Sequence, residues 1–352
     1  MTMTAELPAP ITGAQAWRGP EMAARQDEWQ HHWTADQIDE LSHAAEALED
    51  CPILEITKKD FPLPTVGPFL AEIAKEILFG RGFVMLRGLP IDDWSIEKTA
   101  AAYWGLGLHL GHPVSQNGKG HVLGHVKNLD LDPDGDTTRG YQTSDLLPFH
   151  TDTCDVVGLF CIKPGKAGGE SLVVSSAAIF NEMSNRRPDL AAVLMQPLQR
   201  SFWRENPDNA DHFVDVPLFM PGDERLISHY VRAGIHKAQE LPGVRPFTEE
   251  QIEAIALFDS IADDPDFHLD MHFQPGDMQF LSNYSTLHSR RAFEDFEDFS
   301  ERRHLLRLWL ACPDGPPLPH WLVDAYDDGN AYGRPNAYNH PSIPLTAPLE
   351  AE

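Results

Sequence analysis

The sequence predicts a mainly β domain with flanking helices, and three observations lead there. Short apolar runs such as Phe83-Val84-Met85-Leu86, Asp155 to Ile162 and Ser171 to Ser175 read as buried strands. These strands do not alternate regularly with helices, which argues against a doubly wound parallel sheet. No glycine-rich phosphate loop follows any of them, so a dinucleotide-binding fold is set aside. What remains is a largely antiparallel core wrapped by helices.

Residues 1–16, rich in Pro, Ala and Thr, read as a loose N-terminal segment. Residues 17–80 read as a helical region packed on the core. There Thr34 caps a helix carrying Ile38, Leu41, Ala45 and Leu48, and a second helix starts at Pro68. Residues 81–312 form the core domain. Ser95 caps a helix to Leu106, and the Gly-, Asp- and His-rich stretch to Arg139 predicts loops and short strands. A helical insertion opens at Ala177 and breaks near Pro188. Thr248-Glu249-Glu250-Gln251 is a capping box for a later helix. Further strands are expected from Arg225, Met278 and His304. Residues 313–352 are a Pro-rich C-terminal extension.

An apolar fraction of 42% is ample for a buried core. The net charge of −27 repels phosphate backbones and anionic lipid, so nucleic acid and membrane surfaces are poor partners. Cys51, Cys154, Cys161 and Cys312 form neither a disulfide scaffold nor a CxxC metal site, and they read as reduced. The N-terminus has no secretory pattern and no run spans a bilayer, which predicts a cytoplasmic location. A homodimer is the commonest assembly for such a chain.

His150-Thr151-Asp152 is the first candidate for chemistry. In an extended chain, residues i and i+2 face the same way, so both side chains aim at one spot. A second His-x-Asp, His268/Asp270, lies among acids beside a Pro-Gly turn and reads as a strand-edge feature. A two-histidine, one-carboxylate set binds Fe(II) and leaves positions free, but it needs a third ligand from a distant strand. His288, following the Pro275-Gly276-Asp277 turn and a strand, supplies one. The segment from Arg303 to Leu310 then places Arg303, Leu305, Arg307 and Trp309 on one face of a strand buried on both sides. Arginine is rarely buried unpaired, and its fork matches a carboxylate.

Phe-His-Thr-Asp at 149–152, Gly-Gly-Glu-Ser at 168–171, Pro-Gly-Asp followed by His288, and the Arg-Arg-His-Leu-Leu-Arg run resemble the taurine dioxygenase (TauD/TfdA-like) family of Fe(II)/2-oxoglutarate-dependent oxygenases. The likeness covers about residues 80 to 312. It implies a double-stranded β-helix (jelly-roll) core, with Fe(II) on His150, Asp152 and His288 as catalytic ligands. It implies 2-oxoglutarate as co-substrate, held by Arg303, and O₂ as oxidant. Arg307 and His112 correspond to positions that contact an anionic substrate in relatives. A carboxylate at 152 favours hydroxylation over halogenation.

There are departures. The family's threonine on 2-oxoglutarate aligns with Val174, leaving Ser175 or Ser176 as substitutes. Its substrate-side asparagine is Leu146, and the loop between His288 and Arg303 is longer. Asn117 and Gln142, with Gln116 and Tyr141, are the expected substrate hydrogen-bonding groups, and the loop over 130–145 is the expected lid. The predicted activity is oxidation of a C–H bond in a small, anionic or amino-acid-like molecule. A protein hydroxylase on this scaffold, or a cupin-like metal-binding module without redox chemistry, are the alternatives.

Overall fold

The computed structural model describes residues 7–351, except 133–134, 136–137, 202–212, 223–224, 327–330, 337 and 339–341. Among the described residues, a seven-stranded sheet runs in the order Gln30–His32, Phe83–Arg87, Met278–Ser282, Val156–Lys163, His304–Ala311, His112–Pro113, with Leu123–Lys127 also paired to His304–Ala311. A four-stranded sheet runs His268–Met271, Ser171–Ser175, Thr286–Arg290, Leu147–His150. Apart from Gln30–His32 on Phe83–Arg87, which is parallel, these pairings are antiparallel.

Alternation along each strand sorts its side chains into layers. Leu306, Leu308 and Leu310 pack outward with Leu70, Ile73 and Leu106 from the helices Val66–Phe79 and Ile96–Leu110. Trp309, on the opposite parity, joins Phe83, Met85 and Val157 of its own sheet and Val173, Leu269 and Met271 of the smaller one. The two sheets therefore face each other. Leu172, Val174 and Leu287 point the other way, into a second core with the helices Ser176–Arg186, Pro188–Leu194 and Glu249–Ala262. Full burial of each such leucine contributes about 1.5–3 kcal/mol.

The expected breaks and caps are present. Pro188 opens the second helix of the insertion, and Thr248 and Gln251 cap one another reciprocally. The 17–80 region, expected to be helical, also holds the edge strand Gln30–His32, which its sequence does not announce. Of the predicted loose segment 1–16, residues 1–6 lie outside the described residues. Ile11 in its remainder exchanges hydrogen bonds with Asn181. All four cysteines are free. Among the described residues, no helix is long and apolar enough to cross a membrane.

The Pro275-Gly276-Asp277 turn ties the sheet to what precedes it. Gly276 has φ +85°, and a Cβ there would sit 1.9 Å from the carbonyl oxygen of Leu89. Asp277 accepts from Gln274 N–H at 2.8 Å and from Arg87 at 2.6 Å. Gly276→Ala combines a left-handed backbone with a backbone clash, so it is expected to destabilise by about 2 kcal/mol or more. A urea midpoint unchanged from wild type would contradict this.

Candidate metal centre and substrate pocket

His150 ends the strand Leu147–His150 and lies directly opposite His288 on Thr286–Arg290. Cross-strand pairing puts both rings on the face toward the larger sheet, their centroids 4.2 Å apart. Asp152 lies two residues beyond the strand end, so the His-x-Asp pair is not wholly in a strand. Its position is set by tertiary bonds instead: Thr151 N–H donates to Tyr230 O at 2.8 Å, and Asp152 N–H to Asn283 Oδ1 at 2.9 Å. Asp152 Oδ1 is 3.9 Å from His150 Nε2, and Oδ2 is 3.8 Å from His288 Nε2. The three ligand atoms all lie within 4.8 Å of one another.

The donor set suits a divalent cation. Pro148 O, an acceptor only, is 2.8 Å from His150 Nδ1, so Nδ1 carries the proton and Nε2 keeps its lone pair. Burial lowers the His150 pKa despite the pull of Asp152. Burial, then the neighbouring His150, lowers that of His288 to about 3. Burial pushes Asp152 upward, but His288, Arg307 and His150, with the Trp309 N–H, outweigh it and hold the carboxyl below its ordinary value. The result is two neutral imidazoles and one carboxylate, the protonation state that ligation requires.

Beside the triad is a cavity of about 250 Å³, lined in part by His150, Asp152, Tyr141, Arg307, Trp309 and Tyr338. Arg307 donates Nε–H to Gln116 Oε1 at 2.7 Å, and its guanidinium lies 4.5 Å from the Tyr141 ring centre and 5.2 Å from that of Trp309. Gln116, expected to meet substrate, is thus spent on aiming Arg307, and its amide donates to two carbonyls.

Arg303 is buried, with Nη2 3.4 Å from Gly169 O and Nη1 without a partner among the described residues. Arg290, also buried, donates to Asp145 O, while its Nε and Nη1 have no such partner. Both guanidiniums flank the Phe293 ring, at 4.8 and 5.2 Å. Burial chiefly, then Arg303, lowers the Arg290 pKa to about 9; burial lowers that of Arg303 to about 10. Neither makes an ion pair among the described residues. Leaving buried N–H groups unpaired is costly, so both guanidiniums call for an anionic partner.

Other expected site residues are engaged elsewhere. Ser175 is the N-cap of helix Ser176–Arg186: its Oγ accepts from Ala178 N–H at 3.0 Å and donates to Gln15 O. That leaves it no free donor for a co-substrate. Val174 points to the helix side, away from the site. His112 is exposed at a sheet edge and stacks on Tyr332 at 4.2 Å, outside the cavity lining. Asn117 Oδ1 accepts from Lys119 and His121 N–H, and Gln142 Oε1 from Arg139 N–H, so both serve their own loops. Within the expected lid, Tyr141 on the turn Gly140–Gln142 lines the cavity; residues 133–134 and 136–137 lie outside the described ones. His268 and Asp270 are on the edge strand, where Asp270 pairs with Arg291.

Sequence reading missed Arg290, Trp309 and Tyr338. Arg290 had a signal, since it shares strand parity with His288.

A buried two-histidine, one-carboxylate cluster between two antiparallel sheets, opening on a cavity, is the arrangement of a mononuclear non-haem iron oxygenase. The chain belongs to the taurine catabolism dioxygenase TauD, TfdA family, whose model matches residues 46–309. It is 29% identical over 320 residues to FR-33289 synthase of Streptomyces rubellomurinus, covering 89% of this chain and 94% of that protein. It is equally 29% identical over 320 residues to taurine hydroxylase-like protein SAT17 of Stachybotrys chartarum, covering 86% and 80%. Its fold resembles asparagine oxygenase in complex with Fe(II), hydroxyasparagine and succinate (TM-score 0.62, 16% identity, 80% of this chain and 93% of that one). It also resembles the non-haem iron oxygenase OrfP bound to Fe, succinate and dihydroxy-L-Arg (TM-score 0.62, 14% identity, 90% and 99%).

Proposed function

We propose that this chain is an Fe(II)/2-oxoglutarate-dependent dioxygenase that hydroxylates a C–H bond of a small anionic or amino-acid-like molecule. The observation that carries this reading is the His150, Asp152 and His288 triad, its last two members buried, together with two buried arginines that each keep N–H groups without a partner among the described residues. His150, Asp152 and His288 hold the metal. When bound, iron and 2-oxoglutarate supply the oxidation: O₂ is split, the co-substrate becomes succinate and CO₂, and one oxygen atom enters the C–H bond.

This chain's own part is binding, orientation and exclusion of water. Arg303 and Arg290 pair with the far carboxylate of 2-oxoglutarate, as a rigid fork does best. Ser171 takes the role expected of Ser175: it is buried on the inward face directly opposite Arg290, and the bond its Oγ donates to Gln279 Oε1 is long, at 3.4 Å, and so the easier to exchange for a co-substrate. Arg307 meets an anionic group of the substrate, its charge set against the Tyr141 and Trp309 rings. The cavity falls at the small end of ligand sites, which run to roughly 300–1,000 Å³, so it favours a small molecule over a protein side chain on its backbone. Proteins of similar fold that hold hydroxyasparagine or dihydroxy-L-Arg support an amino-acid-like substrate. We further propose that the facing sheets form a double-stranded β-helix, that residues 81–312 are its catalytic domain, and that 313–352 extend it.

The test is anaerobic addition of Fe(II) and 2-oxoglutarate, followed by a substrate screen for succinate release. A weak visible charge-transfer band that needs both components is expected; iron binding without that band points instead to a metal-binding module. Arg303→Ala removes charge-assisted hydrogen bonds of about 1.5–3 kcal/mol. It should therefore raise the 2-oxoglutarate concentration for half-maximal band by about 10- to 100-fold. An unchanged half-point would remove Arg303 from the co-substrate site.

A further inference from the structure

Trp309 is buried in the core between the sheets, and its indole N–H donates to Asp152 Oδ2 at 2.9 Å. The indole nitrogen is a donor only, so it takes up one lone pair of Oδ2 and orients the carboxylate, leaving Oδ1 the freer oxygen. The carboxylate otherwise sits almost evenly between its neighbours, Oδ1 at 3.9 Å from His150 Nε2 and Oδ2 at 3.8 Å from His288 Nε2. Without the indole, either oxygen or both could face an ion. The ring itself has little freedom, with Tyr338 at 5.8 Å on one side and the Arg307 guanidinium at 5.2 Å. The backbone of Asp152 is fixed separately by Asn283, whose Nδ2 also reaches Cys154 Sγ at 3.2 Å.

We propose that Trp309 is a positioning residue for the metal centre, occupying Asp152 Oδ2 so that Oδ1 alone is offered to the ion. This rests on the reading of His150, Asp152 and His288 as ligands. A carboxylate using both oxygens fills one more coordination position; holding one back keeps that position for co-substrate or O₂. Hydrogen-bond partners of metal ligands typically contribute 10–100-fold in metal affinity.

The full chain is titrated anaerobically with Fe(II) and with Co(II), as wild type, Trp309→Phe, Asp152→Ala and the double variant. Trp309→Phe should weaken metal affinity by about 10- to 100-fold and shift the cobalt d–d spectrum. In the Asp152→Ala background the same change should have no effect on affinity, because the bond it removes is already gone. If the phenylalanine variant does not fold, benzothienylalanine at 309 replaces the N–H by sulfur at nearly constant shape, and the same results are required of it. A lower melting temperature with unchanged metal affinity, or an equal loss of affinity in both backgrounds, overturns the proposal and leaves Trp309 a packing residue. Should wild type bind neither ion, the three-ligand reading itself fails and this inference falls with it. Metal binding by wild type that is unaltered in Trp309→Phe overturns this inference alone.

Discussion

Replacing His150 by alanine is expected to abolish the Fe(II)–2-oxoglutarate band and to cut succinate formation by at least roughly a thousandfold. The magnitude follows because a correctly held metal is worth several kcal/mol of transition-state stabilisation, and each 1.36 kcal/mol or so is a factor of ten. The reason lies in how little else could compensate. Only His150, Asp152 and His288 form a metal-competent cluster among the described residues. Among the described residues, losing His150 leaves Asp152 and His288 with no third neighbour to take its place. Fold should survive the change: the His150 side chain is 18% exposed and bonds only a neighbouring carbonyl on its own strand. Melting temperature and band intensity therefore separate the two effects. Succinate formation in His150→Ala near the wild-type rate, with its fold intact, would remove His150 from the metal site.

Much of this site was legible because strand geometry is simple. Period-two alternation put Arg303, Leu305, Arg307 and Trp309 on one face and Leu306, Leu308 and Leu310 on the other, and Trp309 does lie between the sheets while those three leucines pack against the helices. The pairing of a His-x-Asp with a distant histidine could be weighed from spacing and flanking apolar residues. What spacing cannot show is which hydrogen bond a polar side chain has already made. Ser175 has the right parity for the site but stands where a strand becomes a helix, and an N-cap there uses its oxygen. Asn117 and Gln142 likewise satisfy nearby backbone, a local competition that a sequence does not rank. His112 opens a strand of two residues, His112–Pro113, too short for alternation to reveal that it lies at an exposed edge. Arg290 lies outside the arginine-rich strand, and only its parity with His288 marks its guanidinium as inward. Trp309 shares the strand face of Arg307 and is buried in the core; only the position of Asp152 makes its N–H matter.

A further long-range feature was invisible for the same reason, and it sets the second large effect. Asp155 is fully buried and accepts from Cys312 N–H at 2.9 Å and from Arg334 Nε at 2.8 Å, with Arg334 Nη2 also bound to it. Arg334 Nη1 reaches Pro316 O at 3.0 Å, and Asn336 donates to Ser115 O at 3.1 Å. The Asp155 bonds fasten the C-terminal extension to the turn that follows Asp152, and the Ser115 bond fastens it to the loop after His112–Pro113. Asp155→Ala leaves a buried guanidinium and a buried N–H without their acceptor, which is expected to cost about 3–5 kcal/mol. Replacing both partners, as in Asp155→Leu with Arg334→Met, should recover most of that loss, since an apolar pair of similar volume often does as well as a buried ion pair. Urea unfolding of the two single variants and the double variant measures this directly, and a single-variant loss under about 1 kcal/mol would show the pair to be dispensable. The effect should also reach the metal. Asn283 holds Asp152 N–H through its side chain and Asp155 O through its own N–H, so one residue bridges clamp and ligand. Fe(II) affinity should accordingly fall in Asp155→Ala even under conditions where the protein remains folded, and return with the apolar pair. Affinity that stays at the wild-type value while stability drops would mean that the extension anchors the fold without tuning the centre.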